Sequence, residues 1–455
     1  MGTRNKHIQT KMKRQKMECC IEGEDLISEL PDDILVRVLS LLAPQEVIRC
    51  GALSRRWITL PKLVPMTLKF VRKNMLPSET EETNFVNHVN DVLASYPGET
   101  LAELTISYHL CVVDHPLDLC SQWIQFAMGK RVKKLDLDLS NCIREVSFHK
   151  YQFPPIPYHQ SRSRSQTVCL PMCTSLSDLR LHSVNVTNEH IEHFLKCCPF
   201  LQSLCVIGSE SLTSVKVHGP IQLKFLEIQY CNNLQFFEIS TPDLISFKYR
   251  QHQVTSMPLK CAPQLNEMAI SDGFYDFLLD NFRMFTSYFA LIETLSLGVV
   301  RVNSPEFRLP IGIPTLRNLK HLTVQVMIHD NNSLMCFVPW IEASPLLRRF
   351  VFKRIGQWMP LETRRKSVKP RLCPHQLLKE VEFVGFIGDL LDTDLVMYII
   401  ENAVNLDKII FDCRNPRFMT TYSNGPVCLT RSHGRVRAKK FQSMLSSAVE
   451  SVLIP

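Results

Sequence analysis

At 455 residues, 45% hydrophobic and 21% charged, the chain has the composition of a globular protein with room for two or more domains. The formal net charge of +8 sits at the ends: residues 1–20 hold six basic side chains against Glu18, residues 431–440 hold five and no acid, and the remainder is slightly acidic. A near-neutral body argues against a nucleic-acid-binding core, and no apolar run is long enough to span a bilayer, since Leu390–Val404 is broken by Asp392, Asp394 and Glu401.

Residues 1–22 read as a disordered basic arm. They contain no apolar stretch of the kind a secretory signal needs. The Lys11–Lys16 cluster suits either a nuclear-localisation signal or a solvated arm. From Ile27 the sequence runs ISELPDDILVRVLSLLAPQEVIRCGALSRRW. Pro31 suits a first helical turn, and Asp32 and Asp33 place negative charge at the positive end of the helix dipole. Ile34, Leu35, Val38, Leu39 and Leu42 form one apolar band at helical period. Pro44 restarts the chain, Val47 and Ile48 begin a second apolar turn, and Leu53, Ser54 and Trp57 belong to a third. A module of about 40 residues is too small for a generous core and calls for a partner on its remaining apolar face.

The order Leu30-Pro31, the apolar band, then Leu53-Ser54-Arg55-Arg56-Trp57 resembles an F-box, and PDDIL with LSRRW resembles the plant type. The second Trp common in that pattern is replaced by the Leu60-Pro61 region. The resemblance implies docking on the Skp-type adaptor of a cullin ubiquitin ligase. The candidate adaptor-binding residues are Leu30, Pro31, Ile34, Leu35, Val38, Leu39, Leu42, Val47, Ile48, Leu53, Ser54 and Trp57.

After a linker over residues 67–99, an L-x-x-L-x-L pattern recurs thirteen times, starting at residues 101, 132, 176, 201, 223, 234, 244, 265, 292, 319, 347, 378 and 406. Each unit reads as a short strand that buries its apolar face only when stacked on copies of itself. Two intervals near Leu234 are only eleven and ten residues long, which leaves a tight β-arc or an accidental match. The long interval from 132 to 176, with its SRSRS run at 161–165, reads as an inserted surface loop. A basic loop over 364–371 precedes the strand near Leu378. Thr187–Cys198 reads as a repeat helix ended by Pro199. CCPFLQSLCV and the segment Glu380–Asp412 resemble the repeats and FBD-like end of plant F-box/leucine-rich-repeat proteins.

The expected architecture is therefore α/β: an N-terminal three-helix F-box over 23–66 followed by an irregular leucine-rich-repeat solenoid over 100–412 with an FBD-like end. A basic C-terminal tail with an amphipathic helix is expected over 413–455. Signs alternate among the residues between inward positions, namely Asp136, Asp138, Arg180, His182, Glu227, Gln229, Lys248, Arg250, Thr323 and Gln325, so a mixed-charge protein surface is the expected ligand. Arg180, His182, Glu227, Lys248, Arg250 and Gln325 are the candidate substrate contacts.

No catalytic motif is present, so the chain reads as a non-enzyme with no cofactor. His190, His193 and Cys197 at helical spacing admit a metal site, against the default of a solvated helix. Seventeen cysteines without a C-x-x-C pair read as buried thiols of a reducing compartment, cytoplasm or nucleus, where the sequons at Asn185 and Asn331 go unused. The leading expectation is a substrate receptor for an unknown target protein, with no membrane partner. The alternatives are a small-molecule or inositol-phosphate sensor of the same architecture and a repeat scaffold outside any ligase.

Overall fold

The computed structural model describes residues 27, 29–42, 44–72, 78–108, 119–140, 151–154, 174–219, 221–251, 254, 256, 258–299, 312–328, 334–356, 373–414 and 426–454. The basic arm, SRSRS, the 364–371 loop and Asn331 lie outside them. The chain forms two compact units, residues 1–66 and 67–455.

The described residues of the first unit contain three helices: α1 (Asp32–Leu39), α2 (Pro44–Cys50) and α3 (Arg55–Leu63). Pro31 caps α1 with φ −57°, so the helix opens one residue later than its proline suggests. Both α1 and α2 pack on α3. Leu35 and Leu39 from α1, Val47 from α2, and Trp57 and Leu60 from α3 are buried.

In the second unit the elements follow in order. They are β1 (Met66–Val71), α4 (Glu79–Ser95), β2 (Leu101–Ser107), α5 (Leu119–Gly129), β3 (Lys134–Asp138), β4 (Tyr151–Gln152), β5 (Asp178–His182), β6 (Val184–Asn185) and α6 (Asn188–Cys197). Strands then dominate: β7 (Ser203–Ile207), β8 (Ser214–His218), β9 (Phe225–Gln229), β10 (Phe236–Ser240), β11 (Ser246–Gln251), β12 (Leu259–Cys261) and β13 (Glu267–Asp272). Helices return with α7 (Gly273–Asp280) and α8 (Phe282–Phe289), followed by β14 (Thr294–Val299), β15 (His321–Ile328), α9 (Val338–Glu342), β16 (Arg349–Gly356), β17 (Glu380–Val384), α10 (Leu390–Asn402), β18 (Lys408–Asp412), α11 (Pro426–Gln442) and β19 (Glu450–Ile454).

One sheet dominates, with strand order β1-β2-β3-β5-β7-β9-β11-β13-β14-β15-β16-β17-β18-β19. From β2 onward each neighbouring pair is parallel and in register, so equivalent residues stand in rows across the sheet. Leu104/Ile106, Leu135/Leu137, Leu179/Leu181 and their counterparts through Ile409/Phe411 are buried on one side. The residues between them face the other side, as a two-residue period requires. Twelve of the thirteen pattern units supply strands of this sheet. The unit at Leu234 forms β10, the middle strand of a second parallel sheet ordered β12-β10-β8. The ten- and eleven-residue intervals leave no room for a helix, and a strand with tight arcs takes its place.

Two spans depart from expectation. Residues 67–99 carry β1, which pairs with β2, and α4, whose start is fixed by a capping box between Ser78 and Glu81. They are structured where a linker was expected, because β1 buries Met66, Leu68 and Phe70 without the leading turn of the repeat pattern. The C-terminal segment, expected as a basic tail with an amphipathic helix, carries a helix, α11, and its described residues are packed on the repeat unit. Helix α11 packs Phe441 against Phe411, and β19 extends the sheet in register with β18. The inward position equivalent to Ile409 is Ser451, which hides the repeat in the sequence.

Buried charge ties the last repeats together. The Arg354 guanidinium lies 2.9 Å from Asp389 and 3.1 Å from Asp392, with all three side chains nearly inaccessible. The second oxygen of Asp392 accepts the backbone N–H groups of Ile387 and Gly388, and Asp389 caps α10 by accepting from the Asp392 N–H. Gly385, with φ +77°, lets this turn approach the Arg354 carbonyl so closely that a Cβ would stand 2.5 Å from its oxygen.

Candidate docking surfaces

The apolar band of α1 divides into two ridges. Leu35 and Leu39 point into the unit and are each 1% exposed, whereas Ile34, Val38 and Leu42, at i, i+4 and i+8, are 40%, 48% and 40% exposed. The same division runs through the other helices. Val47 and Trp57 are buried, while Ile48 and Leu53 are exposed. Leu30 is half-buried, and Pro31 and the N-cap Ser54 are exposed. Of the twelve residues expected at an adaptor interface, Leu35, Leu39, Val47 and Trp57 thus support the unit from inside. The helical period marks an apolar arc but does not say which ridge of it faces inward.

Four exposed large apolar residues of this unit lie outside the expected set: Ile27, Leu41, Ile58 and Leu63. The role of Arg56 also escaped the sequence reading. Its guanidinium meets the Asp32 carboxylate through Nε at 2.8 Å and donates to the Leu30 carbonyl, which fixes α3 against the start of α1. The motif shows the arginine, but the partner 24 residues upstream carries no local signal.

In the second unit the candidate contacts Arg180, His182, Glu227, Lys248, Arg250 and Gln325 all stand on the outward rows of the main sheet. Several neutralise one another. Arg180 reaches Glu227 at 3.6 Å, His182 Nδ1 lies 3.0 Å from Asp138, and Lys248 lies 3.2 Å from Glu267. Glu227 also accepts a hydrogen bond from Gln229 at 2.6 Å. The Arg250 guanidinium stacks 4.4 Å above the Tyr230 ring. Burial acts to raise the Asp138 pKa. Hydrogen bonds from His182 and Ser140, with the His182 charge, prevail and hold the carboxyl well below the ordinary range. Asp136 moves the other way: burial raises its pKa, Arg180 opposes that shift, and Asp138 and Glu103 reinforce it.

Signs do not alternate across this face, contrary to expectation. The outward rows of β2 to β9 carry five carboxylates (Glu103, Asp136, Asp138, Asp178, Glu227) against Lys134 and Arg180. Those of β11 to β16 carry four cations (Lys248, Arg250, Arg349, Lys353) against Glu267. Those of β17 to β19 carry four carboxylates (Glu380, Glu382, Asp412, Glu450) against Lys408. Lateral register creates this segregation, and Arg349 and Lys353 join the basic block through the pairing of β16 with β15.

Other candidates resolve differently. His190 is buried, not solvated. One ring nitrogen meets the Thr187 backbone N–H and hydroxyl and the other meets the Pro154 carbonyl, so the ring caps α6. Burial lowers its pKa. Among the described residues no group of His, Cys, Asp and Glu is arranged to hold a metal ion. Asn185 is buried and its side-chain oxygen accepts from Ser209, Glu210 and Ser211, a structural role incompatible with carrying a glycan in the folded chain. A cavity of about 330 Å³ is lined by Lys69, Phe70, Val71, Arg72, Asn84, Phe85 and His88. Lys69 and Arg72 each face a carboxylate there, Glu103 and Glu81. No helix of the described residues is long and apolar enough to cross a membrane.

Comparison with known proteins fits this geometry. Residues 27–60 match the F-box-like family model, and residues 92–450 match the model of the At1g61320/AtMIF1 LRR domain. The F-box/FBD/LRR-repeat protein At3g26920 of Arabidopsis thaliana is 26% identical over 416 residues, covering 86% of this chain and 90% of that protein. The Arabidopsis thaliana protein At5g22660, also named F-box/FBD/LRR-repeat protein, is 23% identical over 427 residues, covering 86% of this chain and 91% of its own length. The Arabidopsis thaliana F-box/LRR-repeat protein 25 is 30% identical over 241 residues, covering 51% of this chain and 88% of its own length. The chain belongs to the plant F-box/leucine-rich-repeat family.

Proposed function

We propose that this chain is the substrate-recognition subunit of a Skp-cullin-F-box ubiquitin ligase. Helices α1 to α3 constitute the F-box and dock on the Skp-type adaptor. The repeat unit, from β1 to β19, holds a target protein on the outward face of its sheet for ubiquitination. The chain supplies effective concentration and no bond chemistry of its own. Its place of action is the cytoplasm or nucleus, where that machinery operates.

The observation that carries this reading is the ridge Ile34, Val38 and Leu42. These side chains remain exposed on a unit whose interior is already filled by Leu35, Leu39, Val47 and Trp57. Exposed apolar residues aligned along α1 and the turn that follows it mark an interaction surface. With Ile48 and Leu53 there are five anchors. Covering what each still exposes contributes on the order of 4–7 kcal/mol together, against an association cost of about 4–15. Polar contacts must therefore supplement them.

The test is co-expression with a Skp-type adaptor. Replacing Leu30→Ala and Pro31→Ala together is expected to abolish co-purification while the repeat unit keeps its circular-dichroism spectrum. Undiminished co-purification of that variant contradicts the receptor reading.

A further inference from the structure

The basic run at 431–440, which the receptor reading leaves without a role, lies in α11. One side of this helix is locked onto the last repeats. Gly434 sits so close to the turn after β17 that a Cβ would stand 2.7 Å from the Phe386 carbonyl oxygen. His433 Nδ1 lies 2.9 Å from the Ile387 carbonyl, and Ala438 and Phe441 are buried. Phe441 packs on Phe411, an inward residue of β18, so α11 lies on the opposite side of the sheet from the outward rows. The rotation of the helix is thereby fixed, and Arg435, Val436, Lys439 and Lys440 are exposed.

Two properties separate this face from the repeats beneath it. The first is uncompensated charge. Arg349, Arg354, Lys379, Lys408 and Arg414 each meet a carboxylate at 2.8–3.0 Å. Arg435, Lys439 and Lys440 meet none among the described residues. The second is apolar surface. Val436 is 66% exposed, and Met444, in the turn that follows the helix, is 47% exposed. Arg435 and Lys439 are one turn apart, as are Val436 and Lys440, so a cationic row and a mixed row run side by side along α11.

Charge and apolar surface together select the occupant. A nucleic-acid backbone offers phosphates but nothing to cover Val436 and Met444. Lying on a bilayer requires a broad apolar helix face, and that face of α11 is packed against the repeats. A second copy of α11 is repelled by its own cations. A helix with carboxylates one turn apart beside aliphatic side chains satisfies both rows at the axial separation of packed helices, about 8–10 Å. From Arg435 to Met444 the face is about 14 Å long, so about three turns of such a helix cover it.

We propose that the exposed face of α11 docks an acidic amphipathic helix of a partner protein. Carboxylates one turn apart meet Arg435 and Lys439, and an aliphatic side chain beside them meets Val436. The site lies across the sheet from the outward rows that hold the target, and it does not depend on the ligase reading.

The test is fluorescence anisotropy with the full chain and a fluorescein-labelled peptide of about 14 residues, held helical by a lactam bridge on its far side because isolated helices of that length are marginal. Its near side carries glutamates one turn apart with leucines beside them. One control replaces the glutamates by lysines, and another replaces the leucines by serines. At about 150 mM salt, where the Debye length is about 8 Å, the parent peptide is expected to bind saturably and the lysine control is not. The serine control is expected to bind about threefold or more weaker, the loss of apolar contact. Arg435→Gln with Lys439→Gln is expected to weaken binding of the parent peptide about tenfold, and Val436→Ser about threefold. Thermal midpoints stay unchanged, because all three positions are exposed. Absent saturable binding, equal affinity for the lysine control, or unaltered affinity in both variants overturns the proposal. Binding that falls in the charge variant but ignores both Val436→Ser and the serine control also overturns it, since that is unspecific attraction. So does tighter binding of a DNA duplex or of phosphatidylserine vesicles that is lost in the same charge variant.

Discussion

Replacing Arg354→Met tests the claim that buried charge secures the last repeats. Arg354 is 4% exposed and faces two carboxylates, each 2% exposed, at 2.9 and 3.1 Å. The uncharged, shorter methionine leaves Asp389 and Asp392 as adjacent buried anions without a counter-charge. Breaking a buried pair in this way costs about 3–5 kcal/mol. The cost depends on pH in a defined direction. Burial pushes the Asp392 pKa up to about 6, while Arg354 pulls it down. A carboxyl raised in the folded state contributes stability that is full below the unfolded value near 4 and is lost as pH rises to the folded value. Removing the arginine moves that upper limit above about 6. Urea denaturation of the variant is therefore expected to show the full loss at pH 8 and a smaller loss at pH 5, with hydrogen exchange locating the weakened amides in α10. Adding Asp389→Asn and Asp392→Asn is expected to recover part of the stability at pH 8. A single variant within about 0.5 kcal/mol of the parent at pH 8, the range of a neutral surface change, refutes the reasoning.

Two further outcomes follow from individual side chains. Asn185→Ala leaves the backbone N–H groups of Glu210 and Ser211 without their acceptor. It is expected to cost about 1–3 kcal/mol, read as a lowered thermal midpoint; an unchanged midpoint contradicts that role. Asp138, held below the ordinary carboxyl range by His182 and Ser140 against the effect of burial, contributes stability above the unfolded value near pH 4 and loses it as pH falls further. About a third of its side chain is exposed, so the contribution is about 1 kcal/mol at most. Asp138→Asn is expected to lower the midpoint slightly at pH 7 and to flatten its decline between pH 4 and 2, and an equally steep decline counts against the assignment.

Legibility in the sequence followed the physical range of each signal. The repeat pattern is local, and every unit of it became a strand, because inward apolar residues must alternate where sheets stack. It missed β1 and β19, where Met66, Leu68 and Phe70 lack the leading turn and Ser451 occupies an inward position. The F-box resemblance located the docking module but merged two ridges of α1, because residues one apart in sequence sit 100° apart on a helix and only tertiary packing decides which faces inward. Charge segregation was invisible for a different reason. Lys353 and Arg250 are more than 100 residues apart and come to share a row only through the register of β11 to β16. Arg354 with Asp392, 38 residues apart, and Arg56 with Asp32 are likewise pairs that no local pattern announces.

The central claim is that the exposed ridge of α1 exists to meet an adaptor. Calorimetric titration of a purified Skp-type adaptor into the full chain and into a Val38→Ala, Leu42→Ala variant tests it most directly. Both positions are 40% or more exposed, so the substitutions leave the fold within about 0.5 kcal/mol. They remove about 1.3–2.6 kcal/mol of apolar contact from the interface, since the two side chains together expose just under one full side chain. The account predicts a thermal midpoint within error of the parent and a Kd raised about 10- to 80-fold. An unaltered Kd with intact folding would contradict it.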